Sequence, residues 1–137
     1  MLDARNEGRC SSSLSTGELV IFADTWVQRP KNLKVNPSPA SSKTTLTCLQ
    51  SYITFDDIKQ CDYIIISHAH FDHLPGADKI ALKTGAKVIA NGEAINVLRR
   101  AGVPEEQLVP VAGGETVEIG KGIYIKPFPA LRESSSL

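Results

Sequence analysis

The feature that most constrains this chain is the run Tyr63-Ile64-Ile65-Ile66-Ser67-His68-Ala69-His70-Phe71-Asp72-His73. Its first half is a short, continuous apolar stretch of β-branched and aromatic residues. Such a stretch suits a strand buried on both faces, as in a parallel sheet flanked by helices. Its second half holds every histidine of the protein and one aspartate within six consecutive positions. Neutral imidazoles and carboxylates are the ligand set for zinc and similar divalent ions. In extended backbone, residues two apart point to the same side, so His68 and His70 can grip one ion together. Asp72 and His73 fall where the chain turns, and can face the same cavity from another direction. They could hold a second ion, or Asp72 could orient a water activated by the metal. A histidine-rich tract can also be purely compositional. The density of this one at the end of an apolar strand, with no histidine elsewhere, favours a metal site.

The wording Ser-His-Ala-His-Phe-Asp-His after a hydrophobic strand resembles the His-x-His-x-Asp-His signature of the metallo-β-lactamase-fold superfamily of metal-dependent hydrolases. Within it, the wording is similar to the lactonase-like and phospholipase D-like branch. The resemblance implies that His68 and His70 bind a first metal, and that Asp72 and His73 bind a second. It implies zinc, one or two divalent ions per chain, with manganese or iron as alternatives. It also implies a catalytic role for Asp72, orienting the attacking water or accepting its proton. An early strand in that superfamily ends in an aspartate beside the metal loop. Asp24 would be that residue, supporting the loop from behind the ligands, unless it only terminates its strand. The implied substrate is a small-molecule ester, lactone or phosphodiester.

The rest of the chain reads as α/β. Residues 1–16 have little apolar periodicity and are expected to be disordered, or else the stub of a strand. Glu18 to Thr25 is the first buried strand, with Leu19, Val20, Ile21 and Phe22 in series. Residues 29–51 carry Pro30, Pro37, Pro39 and three lysines without an acidic residue, which predicts a long flexible loop. Thr54 and Asp57 resemble a capping box, predicting a helix over 54–60 with Ile53 and Ile58 as its staple. Leu74, Ala77, Ile80 and Ala81 repeat at helical spacing up to Gly85. Lys87 to Ala90 is a strand, and Asn91 caps a helix that ends at Gly102. Gln107 to Val111 is another strand. Thr116 to Ile119 and Ile123 to Lys126 alternate across Gly120-Lys121-Gly122 as a β-hairpin. This order is similar to the first half of the superfamily's αββα sandwich. The domain is expected over 17–131, with 132–137 as a tail.

Composition excludes several classes. Net charge is formally zero among 137 residues, and no basic patch interleaved with aromatics suggests a nucleic-acid partner. No apolar run approaches the ~20 residues of a membrane span. Cys10, Cys48 and Cys61 are scattered, which fits free thiols in a reducing cytoplasm rather than a disulfide scaffold. The chain also departs from the superfamily pattern. No histidine follows His73, and Arg132-Glu133 stand where the resemblance implies a third histidine. The expectation is a truncated fold with an exposed apolar sheet face, prone to self-association or needing a partner, and weakly active or inactive alone. A non-catalytic, metal-binding or regulatory fragment is the alternative.

Overall fold

The computed structural model describes residues 3–6, 12–15, 19–25, 55–70 and 73–129. Its centre is a six-stranded sheet, in the order β1 (Asp3–Asn6), β2 (Ser12–Ser15), β3 (Val20–Ala23), β4 (Tyr63–Ile66), β5 (Lys87–Ala90) and β6 (Leu108–Pro110). From β3 to β6 the strands are parallel. Helix α1 (Ala77–Thr84) carries the chain from β4 to β5, and α2 (Gly92–Arg100) from β5 to β6. A separate hairpin, β7 (Val117–Gly120) with β8 (Ile123–Ile125), follows. Among the described residues no helix is long and apolar enough to cross a membrane.

Alternation along the parallel strands splits the apolar residues between two faces. Phe22, Ile64, Ile66, Val88, Ala90 and Leu108 join Ile80, Ala81, Ala94, Ile95 and Leu98 of the helices in one buried cluster. Ile21, Ile65, Ile89 and Val109 meet Val117, Ile119, Ile123 and Ile125 of the hairpin in a second cluster. The strands read as continuous apolar runs because both faces are used. Burying one such side chain stabilises the fold by roughly 1.5–3 kcal/mol. Cys61 lies in the first cluster, and burial pushes its thiol up to about 12, so it is an unreactive core residue.

The helix ends follow local chemistry. The Asn91 side chain accepts a hydrogen bond from the Ala94 amide at 2.9 Å, satisfying one donor of the first turn of α2. Gly85 closes α1 in the left-handed region, at φ 76°. Arg99, in the last turn of α2, pairs with Glu105.

Three expectations are corrected. Within residues 1–16, expected to be disordered or else the stub of a strand, residues 3–6 and 12–15 form strands β1 and β2, paired antiparallel with each other and onto β3, so it is the disordered reading that is corrected. Backbone hydrogen bonding along an open sheet edge needs no apolar periodicity, so the sequence pattern carried no sign of it. Residues 55–57 form only a turn, not the opening of a helix over 54–60. A first helical turn is costly, and so short a segment has no length over which propagation repays it. Ile58 and Cys61 are nevertheless buried, at 3% exposure each. Lastly, the second face of the sheet is not bare, because the β7–β8 hairpin folds onto it. The loop over 29–51 and the tail over 132–137 lie outside the described residues.

Candidate metal centre

Strand β4 ends at Ile66 and delivers Ser67, His68 and His70 at the carboxyl edge of the parallel sheet. Ligand sites of open α/β sheets gather at that edge. Its neighbour β3 ends in Asp24, which turns into the left-handed region at φ 49°. Asp and Asn enter that region more readily than most residues. The Asp24 amide still donates to the Ile65 carbonyl at 2.9 Å, while its carboxylate is turned onto the loop beyond β4.

That carboxylate organises the loop. Its Oδ1 accepts the Ser67 amide at 2.8 Å, and its Oδ2 accepts the Ser67 hydroxyl at 3.0 Å. The same Oδ2 lies 3.0 Å from Nδ1 of His73. The Ser67 oxygen is also 2.9 Å from Nδ1 of His68 and 3.4 Å from Nδ1 of His73. A hydroxyl has one proton, and a carboxylate has none to give. With the Ser67 proton directed at Asp24, the 2.9 Å contact is made by Nδ1–H of His68 donating to Ser67. Nδ1–H of His73 donates to Asp24 on the same logic. Both neutral imidazoles then carry their lone pair on Nε2, the state a metal ligand needs.

The backbone brings the third ring in. The amides of His73 and Leu74 both donate to the His70 carbonyl, each at 3.1 Å. The centroid of His68 lies 4.5 Å from that of His70, edge-on, and 3.9 Å from that of His73. The three histidines are therefore gathered, with Asp24 and Ser67 beneath two of them. The rings contact one another, and among the described residues no three His, Cys, Asp or Glu side chains are set to hold one ion together. Asp72 and Glu133 lie outside the described residues. The donor chemistry, imidazoles of which one is held at its far nitrogen by the Asp24 carboxylate and one by the Ser67 hydroxyl, fits a divalent ion.

Two contributors had no role assigned from sequence. Ser67 is polar where the apolar strand stops, and that break was its only signal. Gly76 caps α1 at φ 96°, and a Cβ there would lie 2.9 Å from Phe55 Cζ and 3.3 Å from the Thr25 carbonyl oxygen. Only glycine meets both demands cheaply. Thr25, directly after Asp24, is fully buried, and among the described residues its hydroxyl has no hydrogen-bond partner.

A family model described as the Beta-lactamase superfamily domain matches residues 31–136. The chain belongs to this superfamily. Its relatives there include a UPF0173 metal-dependent hydrolase of Pyrobaculum arsenaticum, 28% identical over 93% of this chain and 49% of that protein. A UPF0173 metal-dependent hydrolase of Myxococcus xanthus is 34% identical over 88% of this chain and 35% of its own length. The chain thus spans about half, or less, of the curated relatives it matches. Among solved structures, Igni18, a metallo hydrolase from Ignicoccus hospitalis, superposes with a TM-score of 0.70 at 22% identity, over 98% of this chain and 51% of that one. CmlA, a diiron β-hydroxylase from Streptomyces venezuelae, gives 0.67 at 18% identity, over 99% of this chain and 25% of that one. These superpositions show that this chain shares their fold, over about half of Igni18 and a quarter of CmlA.

Proposed function

We propose that this chain forms the metal-binding half of a metal-dependent hydrolase acting on a small-molecule ester, lactone or phosphodiester. The observation that carries the reading is the Asp24–Ser67 network, which holds Nδ1 of His68 and of His73. Anchoring of this kind fixes the tautomer and ring orientation that a metal-ligating histidine needs. The metal-dependent hydrolases among the relatives support the same reading.

His68 and His70 would hold a first divalent ion, zinc or else manganese or iron, and Asp72 with His73 a second. An ion held there polarises a carbonyl or phosphoryl oxygen and acidifies a water. The protein's own residues do the rest. Ser67 fixes the tautomer and orientation of His68, and Asp24 does the same for His73. Asp72 accepts the proton of the attacking water.

A non-catalytic metal-binding role is the second reading. It would keep the ion on the histidines without turnover. A reducing cytoplasm suits the buried, unpaired Cys61. Tyr124 and Phe128 on the hairpin side are 59% and 74% exposed, which supports self-association through that side.

Elemental analysis of the purified protein beside His68→Ala and His70→Ala tests the reading. About one or two ions per chain, lost in both variants, is the expected result. Ester, lactone and phosphodiester turnover that needs the ion would complete the case. Metal without any turnover would leave the non-catalytic reading, and negligible metal in well-folded protein would overturn both.

A further inference from the structure

The hydrogen bonds beneath the histidines form one continuous chain, not two separate anchors. Nδ1–H of His68 donates to the Ser67 hydroxyl at 2.9 Å, and that hydroxyl donates to Oδ2 of Asp24 at 3.0 Å. The same Oδ2 accepts Nδ1–H of His73, also at 3.0 Å. In the reading above, His68 belongs to the first ion and His73 to the second. We propose that Ser67 is a positioning residue that couples the two ion sites, so that filling the first weakens the second through this chain. This rests on the metal-binding part of that reading and deepens it, because it makes one hydroxyl a control on how many ions are held.

The proton inventory fixes the direction of the chain. Ser67 has one proton to give and the carboxylate has none, so donation runs from both histidines toward a single oxygen. Hydrogen bonds in a row polarise one another. A cation on Nε2 of His68 makes its Nδ1–H a stronger donor. The Ser67 hydroxyl, accepting more strongly, then donates more strongly to Oδ2. That oxygen is shared, so it draws less on the Nδ1–H of His73, whose ring becomes less basic at Nε2 and a poorer ligand. The carboxylate is not free to turn in compensation. Its Oδ1 accepts the Ser67 amide at 2.8 Å, and the Asp24 amide is tied to the Ile65 carbonyl at 2.9 Å. Two neighbouring cations also repel each other directly, which weakens the second ion in the same sense. That repulsion does not pass through the Ser67 hydroxyl, so a variant lacking the hydroxyl separates the two contributions.

Stepwise zinc titration of the purified protein against a chromophoric chelator gives the ratio of the second to the first dissociation constant. Ser67→Ala should lower that ratio about fivefold, the low end of couplings between sites because the chain runs through one neutral hydroxyl. Ser67→Thr, which keeps the hydroxyl, should restore the wild-type ratio. A purely structural Ser67 would weaken both ions alike and leave the ratio unchanged in Ser67→Ala, which would overturn the proposal. Binding of a single ion by the wild type, or a ratio lowered equally in Ser67→Thr, would overturn it too. Imidazole proton and nitrogen resonances of the wild type give a second readout that needs no variant. The first ion should move the Nδ1–H proton of His73 upfield while its Nε2 stays unligated, and an unmoved signal would count against the coupling. None of these readouts needs turnover. The expected ratios without hydrolysis of any ester, lactone or phosphodiester would sink the hydrolase reading and keep the coupling. Metal-dependent turnover with an unchanged ratio in Ser67→Ala would sink the coupling alone.

Discussion

On the helix side of the sheet, Ile64 and Val88 are completely buried and Leu98 is 1% exposed. On the hairpin side, among the described residues, only Ile21, Ile89 and Ile119 are buried, while Ile65, Val109, Val117 and Ile125 keep part of their surface in water. The two faces differ because their covers differ. Two crossover helices pack over the parallel strands in one buried cluster. A two-stranded hairpin is too narrow to cover the same width. The histidine loop springs from the carboxyl edge of this sheet and leads directly into α1, so the densely packed side anchors one end of the candidate site. Groups that must hold a fixed geometry are best placed on such rigid elements.

Paired core truncations test that contrast most strongly. Ile64→Ala should cost about 3–4 kcal/mol, and Ile65→Ala on the same strand under about 2 kcal/mol, because a half-exposed site leaves a smaller cavity. Urea unfolding monitored by circular dichroism measures both, and equal losses would erase the distinction between the faces.

Gly76→Ala comes next. The left-handed backbone and the close approach of Phe55 and Thr25 should cost about 1–3 kcal/mol. The damage should concentrate at the histidine loop and the start of α1, where amide exchange would rise first. Exchange rising instead along β7 and β8 would place the weak point on the other face.

Asn91→Ala removes the cap of α2 and should cost about 1 kcal/mol, with Asn91→Asp nearly neutral. Thermal unfolding of both variants checks this. Equal losses would show that packing, not the cap, holds the start of α2.

The smallest effect should be confined to the hairpin side. The Glu115 carboxyl is held below its usual range by its own backbone N–H first, and by those of Ala112 and Gly113. This loop also joins the hairpin's return, since the Gly114 amide donates to the Pro127 carbonyl at 2.8 Å. A carboxyl with a lowered folded pKa stabilises above its unfolded value, near ~4.3, and loses that contribution as pH falls through the folded one. Acidification through that window should loosen β7 and β8 in amide exchange before α1 and α2, and Glu115→Gln should abolish the effect. Uniform loosening of both faces would refute it.

Much of the molecule was legible from the chain itself, and the reason is locality. The strand Tyr63–Ile66, the strand Lys87–Ala90, the Asn91 cap, the Gly85 stop and the hairpin across Gly120-Lys121-Gly122 all depend on neighbours a few residues away. The histidine cluster is local too, packed into consecutive positions that one loop must bring together. Distance along the chain hid much of the rest. The family resemblance named Asp24, but its contact with Ser67, 43 positions away, exists only because the parallel pairing of β3 with β4 brings its carboxylate under the histidines. The edge strands β1 and β2 form because β3 offers unpaired backbone groups, which no side-chain pattern announces. The capping signal at Thr54 met a segment too short to repay helix nucleation, and the core took Ile58 and Cys61 from the irregular chain after the turn instead. The sequence alone determined which donors are available and the order of the parallel elements, because those are properties of residues and their near neighbours. Which nitrogen of His68 carries its proton, and how one carboxylate comes to join His68 to His73, were decided only by tertiary structure, because both depend on groups that meet only when the sheet assembles.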